Sequence, residues 1–207
     1  MTALRPTVVL LDDDPSVLRS LGRLMGTRGY RVRSHVEAGE LFQAGPPAGP
    51  ACLLLDQNLG ATTGLDVHAE LRRRGWNLPT VFLTAQADTA CVVAAVRGGA
   101  DDFITKPYHP SELLAAVARA LDHSERVLEE NRSAAEVKSR AARLTQRERT
   151  IVSLVLAGLL NKQIAEHLGI ALVTVKVHRG RAMRKLGARN AADLARLASL
   201  AGIHQPD

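Results

Sequence analysis

The chain has 207 residues, more than most single domains, and its 46% hydrophobic content can fill a core in each of two small ones. No apolar run approaches the roughly 18 residues of a membrane span and nothing resembles a leader peptide, so the expectation is a soluble, cytoplasmic protein. Residues 1–123 carry 12 Lys and Arg against 13 Asp and Glu, while residues 124–207 carry 15 against 8. The net charge of +6 therefore comes from the C-terminal part, which suggests a polyanion partner, although charge alone does not separate nucleic acid from a membrane surface or from solubility.

Five short apolar runs read as strands: TVVLL (7–11), YRVRSH (30–35), ACLLL (51–55), PTVFLT (79–84) and DFIT (102–105). Between them PSVLRSLGRLMGTRG, AGELFQAG, GLDVHAELRRRG and TACVVAAVRGGA have helical spacing and mostly end in glycine, and PSELLAAVARALDH follows the last strand. Five alternating βα units with the most apolar runs in the middle predict an α/β doubly wound, five-stranded parallel sheet, whose ligands bind beyond the carboxyl ends of the strands. Residues 124–143 lack Pro and Gly and repeat weak apolar positions at Leu121, Leu128, Ala135 and Ala142. That is either a coiled-coil seam or, the favoured reading, a solvated helical linker. After it LTQRERTIVSLVLAG, NKQIAEHLG, LVTVKVHRGRAMRKLGA and NAADLARLASLAG predict four short helices with glycine breaks, the pattern of a helix-turn-helix. Cys52 and Cys91 read as core filler, and the seven histidines never fall at zinc-ligand spacing.

Chemistry gathers at the strand ends. Asp12, Asp13 and Asp14 follow the first run, Asp56 the third, Thr84 ends the fourth, and Lys106 with Pro107 follows the fifth. Each alone could be a helix cap or a turn residue. Together they are harder to explain that way. Converging carboxylates repel unless a cation sits among them, and few hard oxygen donors near a phosphate suit Mg²⁺. A lysine and a hydroxyl would help hold a tetrahedral anion on Asp56, whose carboxylate as nucleophile would form an acyl phosphate.

On these motifs residues 7–121 resemble the receiver domain of bacterial two-component response regulators, flavodoxin- or CheY-like in fold. Residues 144–201 resemble the helix-turn-helix of the FixJ/NarL (LuxR-type) subfamily. The resemblance implies a receiver at 1–123, a helical linker at 124–143 and an all-α, four-helix DNA-binding domain at 144–207. It makes Asp56 the phosphoacceptor and assigns Mg²⁺, with Mn²⁺ as a substitute, to Asp12, Asp13, Asp56 and the backbone carbonyl of Asn58. Thr84 matches the switch threonine, Phe103 the switch aromatic and Lys106 the phosphate-sensing lysine, with a cis bond to Pro107. Asp14 is left to cap a helix. The implied partners are a sensor histidine kinase, promoter DNA, a second copy on phosphorylation and RNA polymerase, with no membrane. Asp56 would accept and lose a phosphoryl group without the chain being a multiple-turnover enzyme.

The helix from Thr174 to Arg189 carries six cations and no acid, which fits phosphate contact and major-groove reading. By resemblance Lys176 and Val177 approach base edges, and Thr174, His178 and Arg179 meet the backbone. Arg181, Arg184 and Lys185 complete the candidate DNA contacts. Thr145 and Glu148 form a capping box, with Arg147 as a further phosphate contact.

Departures from the family pattern carry their own expectations. Gly60 stands where the family has proline, which predicts a looser loop beside the acceptor. Gly180 weakens its helix, Ala171 removes a serine cap that Thr174 could replace, and Leu160 replaces a small polar residue. Two other readings are an aspartyl phosphatase, for which Asn58 stands where an acid is needed, and a receiver used only as an unphosphorylated dimerisation module.

Overall fold

A computed structural model describes residues 5–85 and 98–205, and the chain divides into two compact units, Met1–Leu128 and Glu129–Asp207. In the first, β1 (Thr7–Leu11), β2 (Arg31–His35), β3 (Ala51–Asp56), β6 (Thr80–Thr84) and β7 (Asp102–Thr105) form one parallel sheet in the order β2-β1-β3-β6-β7. Helices α1 (Pro15–Thr27), α2 (Ala38–Ala44) and α3 (Gly64–Arg73) follow β1, β2 and the β3 region. The predicted helix in TACVVAAVRGGA lies, with Cys91, outside the described residues apart from its last three positions.

Alternation along the strands sorts the core into two layers. Val8, Leu10, Cys52, Leu54, Val81, Leu83 and Ile104 pack against α1 and against Leu113, Val117 and Leu121 of the helix after β7. Val9, Leu11, Leu53, Leu55 and Phe82 face α2 and α3 through Leu41, Val67 and Leu71. Central strands buried on both faces are apolar runs, as β1 is after Thr7 and β3 is before Asp56.

The helix after β7, α4 (Pro110–Ala142), runs without a break through 33 residues. Residues 124–142 are thus helical and mostly exposed, and continue the helix that follows β7. Val137, Ala141 and the following Leu144 are buried, whereas Leu128, Ala135 and Ala142 on the expected seam are exposed.

In the second unit α5 (Gln146–Leu156), α6 (Asn161–Leu168), α7 (Leu172–Leu186) and α8 (Ala191–Leu200) enclose two apolar clusters, one around Val152, Ala182, Leu186 and Leu194, the other around Ile151, Ile164 and Val175. Thr145 caps α5 through a capping box with Glu148. Gly169 ends α6 at φ 62°, a left-handed conformation that a side chain would strain, and so makes the turn into α7. Ala171 leaves the start of α7 with no side-chain cap, and Thr174 does not supply one. The helix nonetheless continues through Gly180.

Candidate functional site: an acidic pocket and a basic helix

Because β1, β3, β6 and β7 are parallel, their carboxyl ends open on one edge of the sheet, and Asp12, Asp56, Thr84 and Lys106 meet there. The Lys106 ammonium donates to Oδ1 of Asp56 at 2.7 Å and to Oδ2 of Asp12 at 3.2 Å. Burial alone would push this lysine's pKa down. The hydrogen bond to Asp56 and the charge of Asp12 outweigh it and hold the group above the ordinary lysine value. Each carboxylate is also fixed by backbone: Asp56 Oδ2 accepts from the Asn58 amide at 2.8 Å and Asp12 Oδ1 from the Asp14 amide at 2.9 Å. Asp14 caps α1 by accepting from the Ser16 amide at 2.7 Å, and hydrogen bonding by the Ser16 side chain and then by its amide lowers the Asp14 pKa.

Asp56, Asp12 and Thr84 are buried and Asp13 is exposed. The amide of Lys106 donates to the Thr84 carbonyl at 2.6 Å, and the Lys106–Pro107 peptide is cis. Phe103 is half-buried and stacks on Phe82 with ring centroids 6.2 Å apart.

The stretch after Asp56 holds what the sequence reading missed. Asn58–Leu59 (β4) and Thr62–Thr63 (β5) pair as a small antiparallel hairpin whose turn is Gly60–Ala61. Gly60 sits at φ 66°, a left-handed conformation that favours glycine in this turn, and a Cβ there would lie 3.8 Å from Oδ2 of Asp13. The only signal was the Gly-Ala pair between short polar runs. Behind the hairpin Gly64 is pressed against the acceptor's backbone: a Cβ on it would come within 2.5 Å of the Asp56 carbonyl oxygen.

The donors here are all oxygen, which suits a hard divalent cation. Among the described residues no three His, Cys, Asp or Glu side chains converge closely enough to enclose a metal. A cation here would keep water or phosphate oxygens in its shell, as Mg²⁺ does, and bare Gly60 leaves room beside Asp13. The residues fit such an ion.

On α7, Lys176, Val177, Arg181 and Arg184 are exposed, while Thr174, His178 and Arg179 are half-buried. Arg179 donates to Oδ1 of Asn161 at 2.7 Å, which ties α7 to the start of α6. Lys185 departs from its expected place among the DNA contacts. Its ammonium donates at 2.6 Å to Glu148, which is buried. Position 185 lies toward the α5 side of the helix, and a buried carboxylate needs a cation more than solvent does. Burial would raise the Glu148 pKa, but the bond from Lys185 and the Thr145 amide hold it below the ordinary value. Arg147, expected at phosphate, points a guanidinium nitrogen at the Leu168 carbonyl 3.5 Å away. Val173, which the sequence reading passed over, is exposed at the first turn.

An acidic pocket at the carboxyl edge of a five-stranded parallel sheet, followed by a helix-turn-helix, defines a class, and comparison with known proteins agrees. Residues 8–118 match the response regulator receiver domain and residues 142–198 match the bacterial regulatory proteins of the luxR family. The chain belongs to the response regulators with a receiver and a LuxR-type DNA-binding domain, the FixJ/NarL type, a family of transcriptional regulators rather than enzymes. It is 40% identical over 196 residues to nodulation protein W of Bradyrhizobium diazoefficiens, across 95% of this chain and 86% of that protein. It is 35% identical over 200 residues to the transcriptional regulatory protein FixJ of Azorhizobium caulinodans, across 97% and 95%. The solved structure of response regulator StyR superposes with a TM-score of 0.83 at 34% identity, covering 95% of this chain and 99% of that one. Among the described residues no helix is long and apolar enough to cross a membrane.

Proposed function

We propose that this chain is a phosphorylation-controlled transcription regulator of the cytoplasm, with Asp56 as phosphoacceptor for a sensor histidine kinase. A carboxylate oxygen of Asp56 attacks the phosphorus of a phosphohistidine, the P–N bond breaks, and the ring nitrogen leaves with its electron pair as the O–P bond forms. The product is an acyl phosphate on Asp56. Mg²⁺, or Mn²⁺ in its place, would be held by Asp12, Asp13, Asp56 and the Asn58 carbonyl, and would neutralise charge on the transferred phosphoryl oxygens.

The observation that carries this reading is the Lys106 ammonium on Asp56. Before transfer it neutralises the acceptor, and after transfer the same cation binds a phosphoryl oxygen, with the Thr84 hydroxyl as a further donor. Lys106 follows β7 and Phe103 lies in it, so movement of the lysine toward phosphate shifts the strand that carries the aromatic ring. That shift favours a homodimer, which presents two α7 helices to two half-sites of promoter DNA and engages RNA polymerase. Thr174, Lys176, Val177, His178, Arg179, Arg181 and Arg184 contact DNA, while Lys185 holds the domain together. Water hydrolyses the acyl phosphate and resets the switch.

The test is incubation of the full chain with Mg²⁺ and a small acyl-phosphate donor, read by intact mass and solution molecular weight, with Asp56→Asn as control. One phosphoryl group on the parent, none on the variant, and a shift toward dimer are expected. A parent that stays unmodified would mean a receiver acting only as an unphosphorylated dimerisation module.

A further inference from the structure

At the amino edge of the sheet, opposite the acidic pocket, the residues leading into β6 and β7 line a cavity of ≈ 300 Å³ together with α3 and α4. Leu78, Pro79 and Val127 supply its apolar wall, and Arg72 and Asn77 its hydrogen-bond donors. That volume is at the lower end for small-molecule sites. The cavity lies at the far ends of the two strands that carry Thr84 and Phe103, and the chemistry at Asp56 does not use it.

Arg72 is the first of three consecutive arginines. Arg73 and Arg74 both pair with Glu70, and Arg74 also lies over the Phe42 ring. Among the described residues nothing accepts a hydrogen bond from Arg72. Its guanidinium lies instead beside Gly99, where a Cβ would stand 3.8 Å from it, and the left-handed φ of 84° at Gly99 favours the bare residue. Asp101, the acid among the lining residues, does not answer this cation. Its Oδ2 accepts from the Thr80 amide at 3.0 Å and its Oδ1 pairs with Nδ1 of His123. Arg119 and Arg126 line an adjoining hollow, where Asp102 holds Arg119.

We propose that this cavity binds a small apolar monocarboxylate, its carboxylate held by the Arg72 guanidinium and the Asn77 side-chain amide and its body against Leu78, Pro79 and Val127. The planar fork of an arginine matches the two oxygens of a carboxylate. One uncommitted cation balances one negative charge, whereas a phosphate dianion would keep half of its charge unpaired beside Asp101. The apolar wall selects an acid with a hydrocarbon body over a small hydrated anion, because only the former removes apolar surface from water.

The isotope-labelled full chain is titrated at neutral pH with acetate, butyrate and benzoate, with benzamide as the neutral counterpart of benzoate and phenyl phosphate as the dianion, and amide shifts are followed by NMR. Benzoate should give saturable shifts at the amides of Asn77, Leu78, Gly99 and Val127, and binding should weaken through butyrate to acetate as the apolar body shrinks. Benzamide should bind the parent about tenfold more weakly than benzoate does, and Arg72→Gln should weaken benzoate by about the same factor, the loss expected for one charged hydrogen-bond contact. Arg72→Lys, which keeps the charge without the fork, should fall between. Arg73→Gln removes a cation already paired with Glu70 and should bind benzoate like the parent. Arg72 is exposed, and a thermal melt matching the parent verifies that its variants keep the fold. No saturable shift at these amides with any of the three acids at millimolar concentration overturns the inference. Equal binding of benzamide and benzoate does the same, as does undiminished benzoate binding by Arg72→Gln. Tighter binding of phenyl phosphate than of benzoate overturns the carboxylate assignment in favour of phosphate esters. Each of these outcomes leaves the role of Asp56 standing, since no arm of the test depends on phosphorylation.

Discussion

Lys106 donates to Asp56 across 2.7 Å, joining the residue after the last strand of the sheet to the end of its central strand. The same ammonium reaches Asp12, so one cation serves two buried carboxylates whose mutual repulsion would otherwise open the pocket.

Removing that cation should therefore affect transfer and response together. Lys106→Met is expected to slow phosphoryl uptake from an acyl-phosphate donor by on the order of a hundredfold, the usual loss when one aimed donor to a developing charge is deleted. Any phosphorylated protein should remain at the molecular weight of the unphosphorylated parent. Time-resolved intact mass and light scattering check both points, and a variant that takes up phosphate and dimerises like the parent contradicts the role given to Lys106.

Gly64 tests how tightly the acceptor's backbone is held. A methyl group at that position would overlap the Asp56 carbonyl, a backbone atom that cannot swing aside as a side chain can. Gly64→Ala should destabilise the receiver unit by about 1–3 kcal/mol, the cost typical of overpacking. It should also impair phosphorylation, because relief of the clash displaces the residue that carries the nucleophile. Denaturant unfolding and phosphate uptake would be compared with the parent.

The pair between Lys185 and Glu148 predicts opposite behaviour for two neighbouring cations. Arg184→Met should lower the salt slope of DNA binding by about one, as for a lost phosphate contact, while Lys185→Met should leave the slope unchanged and destabilise the unit. Glu148→Gln should cost about 1–3 kcal/mol, since it weakens the cap on α5 and leaves a lysine against a buried amide. With the folded pKa of Glu148 held below the usual glutamate value, its contribution is present above about pH 4.3 and is lost as pH falls through the lower, folded value. Acid unfolding of Glu148→Gln should lack that component.

Gly180→Ala should raise the stability of the second unit by about 1 kcal/mol, because the new methyl meets no protein atom and the helix loses its most flexible residue. A melting temperature below that of the parent would show a packing constraint at this position.

Cys52 is fully buried in β3, and burial, with the charge of Asp101 adding to it, pushes its thiol pKa up to about 12. Peptide mapping after treatment with iodoacetamide at neutral pH should find Cys52 unmodified in the native protein and alkylated in denaturant.

Much of this molecule was legible in one dimension. Strands buried on both faces must be apolar runs, so β1, β3 and β6 announce themselves, and a parallel sheet necessarily brings the residues after those runs to one edge. Asp12, Asp56, Thr84 and Lys106 were therefore readable as a group, and Thr145 with Glu148 was readable as a cap because both partners lie within four residues. What escaped depends on contacts between residues far apart or on the space around them. The bond from Lys185 to Glu148 spans 37 residues, and no spacing rule distinguishes that lysine from the arginine beside it. Which residues of α4 are buried depended on contacts with residues distant in sequence, and the hairpin at Gly60 on backbone pairing too short for an alternating pattern. Local periodicity determined the elements and their order. Only the packed structure decided which charges neutralise one another and which face outward, because burial and distance are properties of the fold.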